Sequence, residues 1–224
     1  MMRWVLFALL TICLVGCSRV VPKAGIRVDL RGEDLDGYIF RELDPTRDEW
    51  QKPKEVIDAL RLDEGQAVAD VGAGAGYFAV HLASAVGPDG KVYAADTDSM
   101  LLERLRARLE EKNIQNVLLI PGKPEDPKLP SRSVELALLC NTLSRVDLLY
   151  AFIENLKKGL KKEGRVAVID FKQKQTPFGP PVKLRVKKKK IIAVMKASGF
   201  KLIEEHDFLP YQYFLVFTLE KRYG

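Results

Sequence analysis

Six residues, DFLPYQ at 207–212, separate the last two β-rich runs of the chain, 201–206 and 213–220. A connection this short cannot hold the crossover that parallel neighbours need, so the two runs are expected to form an antiparallel hairpin. Upstream the rhythm is different. Residues 66–71, 91–95, 117–120, 134–140 and 165–171 read as buried strands, and helices are expected at 53–62, 77–86, 100–112, 148–160 and 188–198, the last ended by Gly199. Val56, Ile57 and Leu60, and again Leu101, Leu105 and Leu109, recur at helical spacing. Such regular alternation implies an α/β fold, a parallel sheet with helices on both faces. A length of 224 residues, 47% hydrophobic and 29% charged, suits one such domain.

The start of the chain, MMRWVLFALLTICLVGCSRV, does not share this pattern. One early cation, Arg3, precedes an apolar run over 4–15, followed by Gly16 and Cys17. The run is short for a bilayer, which needs about 20 residues, and suits the core of a signal peptide. Leu14-Val15-Gly16-Cys17 resembles the lipobox of bacterial lipoproteins, in which the signal is cut before the cysteine and that cysteine carries lipid. An uncleaved anchor is the alternative. The expected organisation is a signal peptide over 1–16, a lipidated Cys17 opening a tether over 17–36, and one domain over 37–224. Both readings put the domain outside the inner membrane, and by the same resemblance Ser18 favours the periplasmic face of the outer membrane. With Cys13 removed and Cys17 acylated, Cys140 has no disulfide partner. A net charge of +6 permits anionic partners without demanding them.

Within the domain, VADVGAGAGYFAVHLA joins the first strand to its helix through Asp70-x-Gly72-x-Gly74-x-Gly76. A dinucleotide fingerprint would need glycine where Tyr77 stands. The glycines allow positive φ and close approach to a ligand, and Asp70 can face a ligand ammonium. Asp96 ends the second strand, where a carboxylate can accept from two ribose hydroxyls; capping the next helix is its other reading. The motif resembles motif I of the class I S-adenosylmethionine-dependent methyltransferases. Their Rossmann-like, doubly wound, mostly parallel seven-stranded sheet also ends in an antiparallel hairpin strand. The resemblance runs from about Trp50 to Phe217 and includes DEWQKP, IDFK, GPP and LPYQYFLVF, stretches similar to a small-molecule subgroup. It implies S-adenosylmethionine as cofactor, with the Gly72, Gly74 and Gly76 loop against its methionine part, Asp70 toward its amino group and Asp96 on its ribose. It also implies that in GKPEDPKLPSRSVEL Asp126, ahead of Glu125, accepts from the adenine amino group; a solvated loop acid is the alternative.

Methyl transfer from a sulfonium asks mainly for positioning, plus a base where the acceptor must lose a proton. Asn141, Asp170, Lys172, His206, Tyr211 and Tyr213 stand at strand ends, and Asn141 and Tyr211 are the expected catalytic pair, although both tyrosines also suit packing of the last strand. The loop after the fourth strand reads Asn141-Thr142-Leu143-Ser144-Arg145, without the aromatic and histidine residues that the resemblance leads one to expect, so a general base is missing. No Asn-Pro-Pro-Tyr motif follows, and DNA-base methylation is not supported. TPFGPPVK suggests a covering loop, Trp50 a lid or a core contact, and His81 and Cys140 structural roles. The lysines at 187–190 lack interleaved aromatics, which speaks against nucleic acid; a solvated face or anionic lipid is expected instead. No metal ligand is assigned. Two function classes follow: methyl transfer to a small or lipophilic acceptor, or an envelope-anchored ligand-binding or scaffold protein that keeps the fold without catalysis.

Overall fold

A computed structural model describes residues 37 and 42–220. The apolar run, Cys17 and the tether expected over 17–36 lie outside the described residues. Among those described, no helix is long and apolar enough to cross a membrane.

Two short helices, α1 (Arg47–Gln51) and α2 (Pro53–Leu60), precede the sheet. Lys52 separates them with φ 47°, and Pro53 begins α2, where a missing N–H costs nothing. The alternation then runs β1 (Ala67–Val71), α3 (Tyr77–Ala85), β2 (Lys91–Asp96), α4 (Ser99–Glu111), β3 (Val117–Pro121), β4 (Val134–Cys140), α5 (Leu149–Gly159), β5 (Leu160–Phe171), α6 (Lys188–Ala197), β6 (Phe200–His206) and β7 (Gln212–Leu219). The seven strands lie in the order β3-β2-β1-β4-β5-β7-β6. The first five run parallel, and β7 is antiparallel to both β5 and β6. The expected hairpin is present, with its second strand inserted between β5 and β6.

Side chains alternate across this sheet, and both faces are covered. Val68, Leu136, Leu138, Ile169 and Phe214 pack with Val56 and Leu60 of α2 and Phe78 and Leu82 of α3. Ala69, Leu139, Val168 and Leu215 pack with Phe152 and Ile153 of α5 and Ile191 and Met195 of α6. Two expectations need adjustment. β3 is not buried: it is the outer strand, with Leu118 47% exposed, and among the described residues no strand pairs with its far side. β5 begins earlier than expected, at Leu160, and its pairing with β4 shifts register between Val134 and Leu136. From β1 the chain moves outward to β2 and β3, then returns to the other side of β1 as β4. Open α/β sheets bind ligands at that reversal, beyond the carboxyl ends of the strands.

Candidate active site

A cleft of about 540 Å³ opens at that point, within the size range of small-molecule sites. Gly72 lines it from the β1 turn, Asp96 and Asp98 after β2, Lys123 after β3, Asn141 after β4, and Arg47 and Trp50 from α1.

The glycine turn owes its shape to backbone requirements. Gly72, Gly74 and Gly76 all have positive φ, at 77°, 55° and 84°. A Cβ on Gly72 would lie 2.4 Å from Thr142 Oγ1, and one on Gly76 would lie 2.1 Å from Leu105 Cδ1. The two glycines therefore do different work: Gly72 forms the cleft wall against the β4 loop, while Gly76 lets α4 pack on the turn. Thr142, which the sequence did not single out, donates to Val71 O at 2.8 Å and so ties the β4 loop to the turn. Arg108 adds a second tie by donating to Gly76 O at 2.8 Å.

Asp96 stands where the sequence placed it. Its Oδ2 accepts from Gly74 N at 2.8 Å and its Oδ1 from Asp98 N at 2.9 Å. Each oxygen keeps a lone pair for a ligand, since a carboxylate offers about four acceptor positions. Burial raises its pKa, against the pull of those two backbone hydrogen bonds. The helix cap is a different residue, Asp98, which accepts from Met100 N at 2.9 Å. Asp70 is 3% exposed and lies beneath the turn rather than on the cleft surface, with its Oδ2 unpartnered. Burial, and then the nearby Asp96 charge, push its pKa up to about 7. Asp126, expected at the adenine, is not among the residues that line the cleft. Its carboxylate folds back to accept from Lys128 N at 2.8 Å and pairs with Lys128 Nζ at 2.8 Å, in a turn closed by a Lys123–Asp126 bridge. Gly122, Lys123, Pro124 and Pro127 line the cleft there instead.

The opposite end is apolar. Trp50 stacks on Phe178 at 5.2 Å and 12°, and Phe171 tilts against Trp50 at 5.8 Å. Phe178 belongs to the expected covering loop, whose shape depends on Arg185. That guanidinium, 6% exposed, donates to Pro180 O, Lys172 O, Lys174 O, Thr176 Oγ1 and Phe178 O within 3.2 Å. Gly179 at φ 91° lies flat on the Phe171 ring, which a Cβ would strike at 2.5 Å.

Of the expected catalytic pair, the cleft contains only one. Asn141 lines it, with φ 59°. Tyr211, just before β7, is not among the lining residues; its ring packs 6.1 Å from Trp50 and 5.9 Å from Phe178. Tyr213 is buried and donates to Val186 O at 3.2 Å. Lys172 donates to Leu209 O at 2.8 Å. His206 sits on β6 beside Glu204 at 3.2 Å, and His81 lies against Tyr77. Asp170 is 1% exposed, accepts from Phe171 N, and is pushed by burial to about 7. Cys140 lines the cleft, and burial raises its thiol pKa. Arg47, Gln51 and Gln212 are buried polar residues; the two glutamines lie in the DEWQKP and LPYQYFLVF stretches, to which the sequence assigned no role for them.

A parallel sheet reversed at β1 and β4, a glycine turn into α3 and an acid ending β2 define a Rossmann-like domain with a site for a nucleoside-containing ligand. The chain belongs to the methyltransferase-domain family, whose model matches residues 62–208. It is 27% identical over 124 residues to a demethylmenaquinone methyltransferase of Listeria welshimeri, covering 55% of this chain and 52% of that one. It is 32% identical over 104 residues to a protein-L-isoaspartate O-methyltransferase of Ignicoccus hospitalis, covering 46% and 48%. The chain spans about half the length of these curated relatives. The crystal structure of a SAM-dependent methyltransferase from Aquifex aeolicus superposes with a TM-score of 0.79 at 25% identity, over 82% of this chain and 98% of the other.

Proposed function

We propose that the protein transfers a methyl group from S-adenosylmethionine to a small, lipophilic acceptor, and does so tethered to the cell envelope through Cys17. The observation that carries the reading is the union, in one cleft, of Gly72 and the Asp96 carboxylate with an aromatic wall of Trp50, Phe171 and Phe178. The residues present fit the cofactor. A side chain at Gly72 would meet Thr142, so this wall stays bare backbone for a ligand to approach, and Asp96 keeps acceptor positions for ribose hydroxyls. Asp70, with its unpartnered oxygen beneath the same turn, supplies negative potential toward an ammonium group. The bound cofactor supplies a methyl already activated on a sulfonium. The chain's own task is then to hold the acceptor in line and to exclude water, which Trp50 and the Arg185-braced loop do at the apolar end. A lipophilic acceptor agrees with that wall and with the Listeria relative named for demethylmenaquinone.

Calorimetry of protein lacking residues 1–17 with S-adenosylmethionine, followed by labelled-methyl transfer to envelope extracts, tests the activity. Binding with transfer is expected; absence of binding sinks the assignment. Fatty-acid labelling of wild type but not of Cys17→Ser tests the tether. The non-catalytic reading has one observation in its favour: no histidine lines the cleft. Cofactor binding without transfer to any envelope fraction would select it.

A further inference from the structure

Beneath the apolar end runs a row of buried amides. Arg47 Nη2 donates to Gln51 Oε1 at 3.4 Å, Gln51 Nε2 to Gln212 Oε1 at 2.8 Å, and Gln212 Nε2 to Asn141 Oδ1 at 2.7 Å. Both glutamines are 0% exposed and Arg47 is 4% exposed. Amide oxygen and nitrogen have nearly the same shape, so such a row has two possible directions. Its first member decides between them. A guanidinium only donates and does not lose its proton, and the Cys140 thiol offers a second donor to the same Gln51 oxygen at 3.8 Å. Reversal would set N–H against N–H among side chains that are almost wholly buried, leaving donors unsatisfied. The direction passes along the row and leaves Asn141 Nδ2 as its last donor.

That donor is held for use. Asn141 adopts the left-handed conformation, which asparagine tolerates better than most residues, and its backbone N–H is fixed on Ile169 O at 2.8 Å. Its Nδ2 makes no hydrogen bond among the described residues and is not among the buried unpaired atoms. Glu42 pairs with Arg47 at 2.7 Å and both line the cleft, so the first member of the row brings a direction to Asn141 and, paired, no net charge. We propose that this row presents the Asn141 amide to an oxygen of the methyl acceptor and selects acceptors whose oxygen is an anion, a phenolate or enolate. The inference rests on the methyltransferase reading and specifies its acceptor. Charge-assisted hydrogen bonds are roughly twice as strong as neutral ones, so a lone donor favours the anion over the hydroxyl. Because no histidine lines the cleft, favouring the ionised acceptor does part of what a base would do. Asn141 touches the acceptor; Gln212, Gln51 and Arg47 are positioning residues.

The test uses 4-nitrophenol, whose ionised form is coloured, with the full-length protein in detergent. Bound probe is expected to ionise about one pH unit lower than free probe, a tenfold preference for the anion worth about 1.4 kcal/mol. Asn141→Asp keeps the shape and replaces the donor with an acceptor, and is expected to reverse the preference. Gln212→Leu breaks the row without touching the probe; it is expected to abolish the preference while 4-nitroanisole, which has no ionisable oxygen, binds as before. Wild type that fails to bind the probe, or binds both forms alike, overturns the proposal. So does an unchanged preference in Asn141→Asp, which holds even if Gln212→Leu does not fold. Cofactor binding on the same samples separates the two readings: a preserved preference without S-adenosylmethionine binding sinks the methyltransferase assignment alone, and the converse sinks the relay alone.

Discussion

The two ends of the cleft are built in opposite ways. The end proposed for the cofactor is made within one β-α-β unit: Gly74 N and Asp96 Oδ2, the hydrogen bond that fixes it, are 22 positions apart. The end proposed for the acceptor is assembled from α1, β4, β7 and the 172–185 loop, and its fixing bonds join Gln51 to Gln212, 161 positions away, and Gln212 to Asn141, 71 away. A site formed by adjacent elements must satisfy local backbone demands, which leave a motif. A site formed by distant ones needs only complementary side chains, and the stretches that carry them, DEWQKP and LPYQYFLVF, do not say that they meet.

The largest expected effect falls on the cofactor end. Gly72→Ala meets both a left-handed φ and Thr142 at 2.4 Å. The conformational cost of about 1–2 kcal/mol and an overpacking cost of about 1–3 kcal/mol together give about 2–5 kcal/mol. A lowered urea midpoint and loss of S-adenosylmethionine binding are expected; an unchanged midpoint would show that the turn relaxes freely and would weaken the contrast between the two ends.

Next comes Asp70, a burden on the fold at neutral pH. Its pKa is raised by burial from 3.8 to about 7, so the folded chain holds a proton that the unfolded chain releases between those values. Stability should fall as pH rises through that window, with the full cost, a few kcal/mol at most, present above pH of about 7. Asp70→Asn should flatten this slope and gain stability at pH of about 8, with little change at pH of about 4. Urea titrations at both ends of the window check it, and equal slopes in both proteins would rule Asp70 out. Asp170, pushed by burial to about 7, and Asp96, raised by burial, act in the same direction and contribute to the slope that remains.

The same division explains what was legible in the sequence. The alternation of elements, the terminal hairpin, the glycine turn and Asp96 could all be read, since each follows from hydrophobic period, connection length or a φ that only glycine adopts easily. The insertion of β7 between β5 and β6 could not, because a hairpin specifies that two strands pair and not which strand a neighbour accepts. Asp126 stands off the cleft lining, its carboxylate held by Lys128 two residues on, a contact that the sequence pattern did not announce. Tyr211 was misplaced by its position at a strand end, which says nothing of which side of Trp50 the ring takes. Arg185 shapes the covering loop through carbonyl contacts, and the sequence did not single it out.

Asp96→Ala is expected to have a smaller effect than either of those. It removes hydrogen-bond acceptors for the cofactor and also releases Gly74 N and Asp98 N. Hydrogen bonds to a charged group are worth about 1.5–3 kcal/mol, so the dissociation constant should rise at least about tenfold. Asp96→Asn sharpens the point, since it can still accept from one of the two backbone donors and should recover stability more than affinity. Equal affinity in all three proteins would move the ribose site elsewhere.

The smallest effect belongs to the acceptor end, at the residue where the sequence suggested catalysis. The Tyr211 ring packs 6.1 Å from Trp50 and 5.9 Å from Phe178, and no hydrogen bond to its hydroxyl occurs among the described residues. Tyr211→Phe keeps the ring and removes only the hydroxyl. Methyl transfer should therefore stay within about threefold of wild type, under about 0.7 kcal/mol. Tyr211→Ala should cost more, because it removes the support behind Trp50, and it should act on acceptor KM while leaving cofactor affinity unchanged. Steady-state kinetics on the two variants separate the roles. A Phe variant as impaired as the Ala variant would return the hydroxyl to the chemistry and give the acceptor end a group legible from its strand-end position.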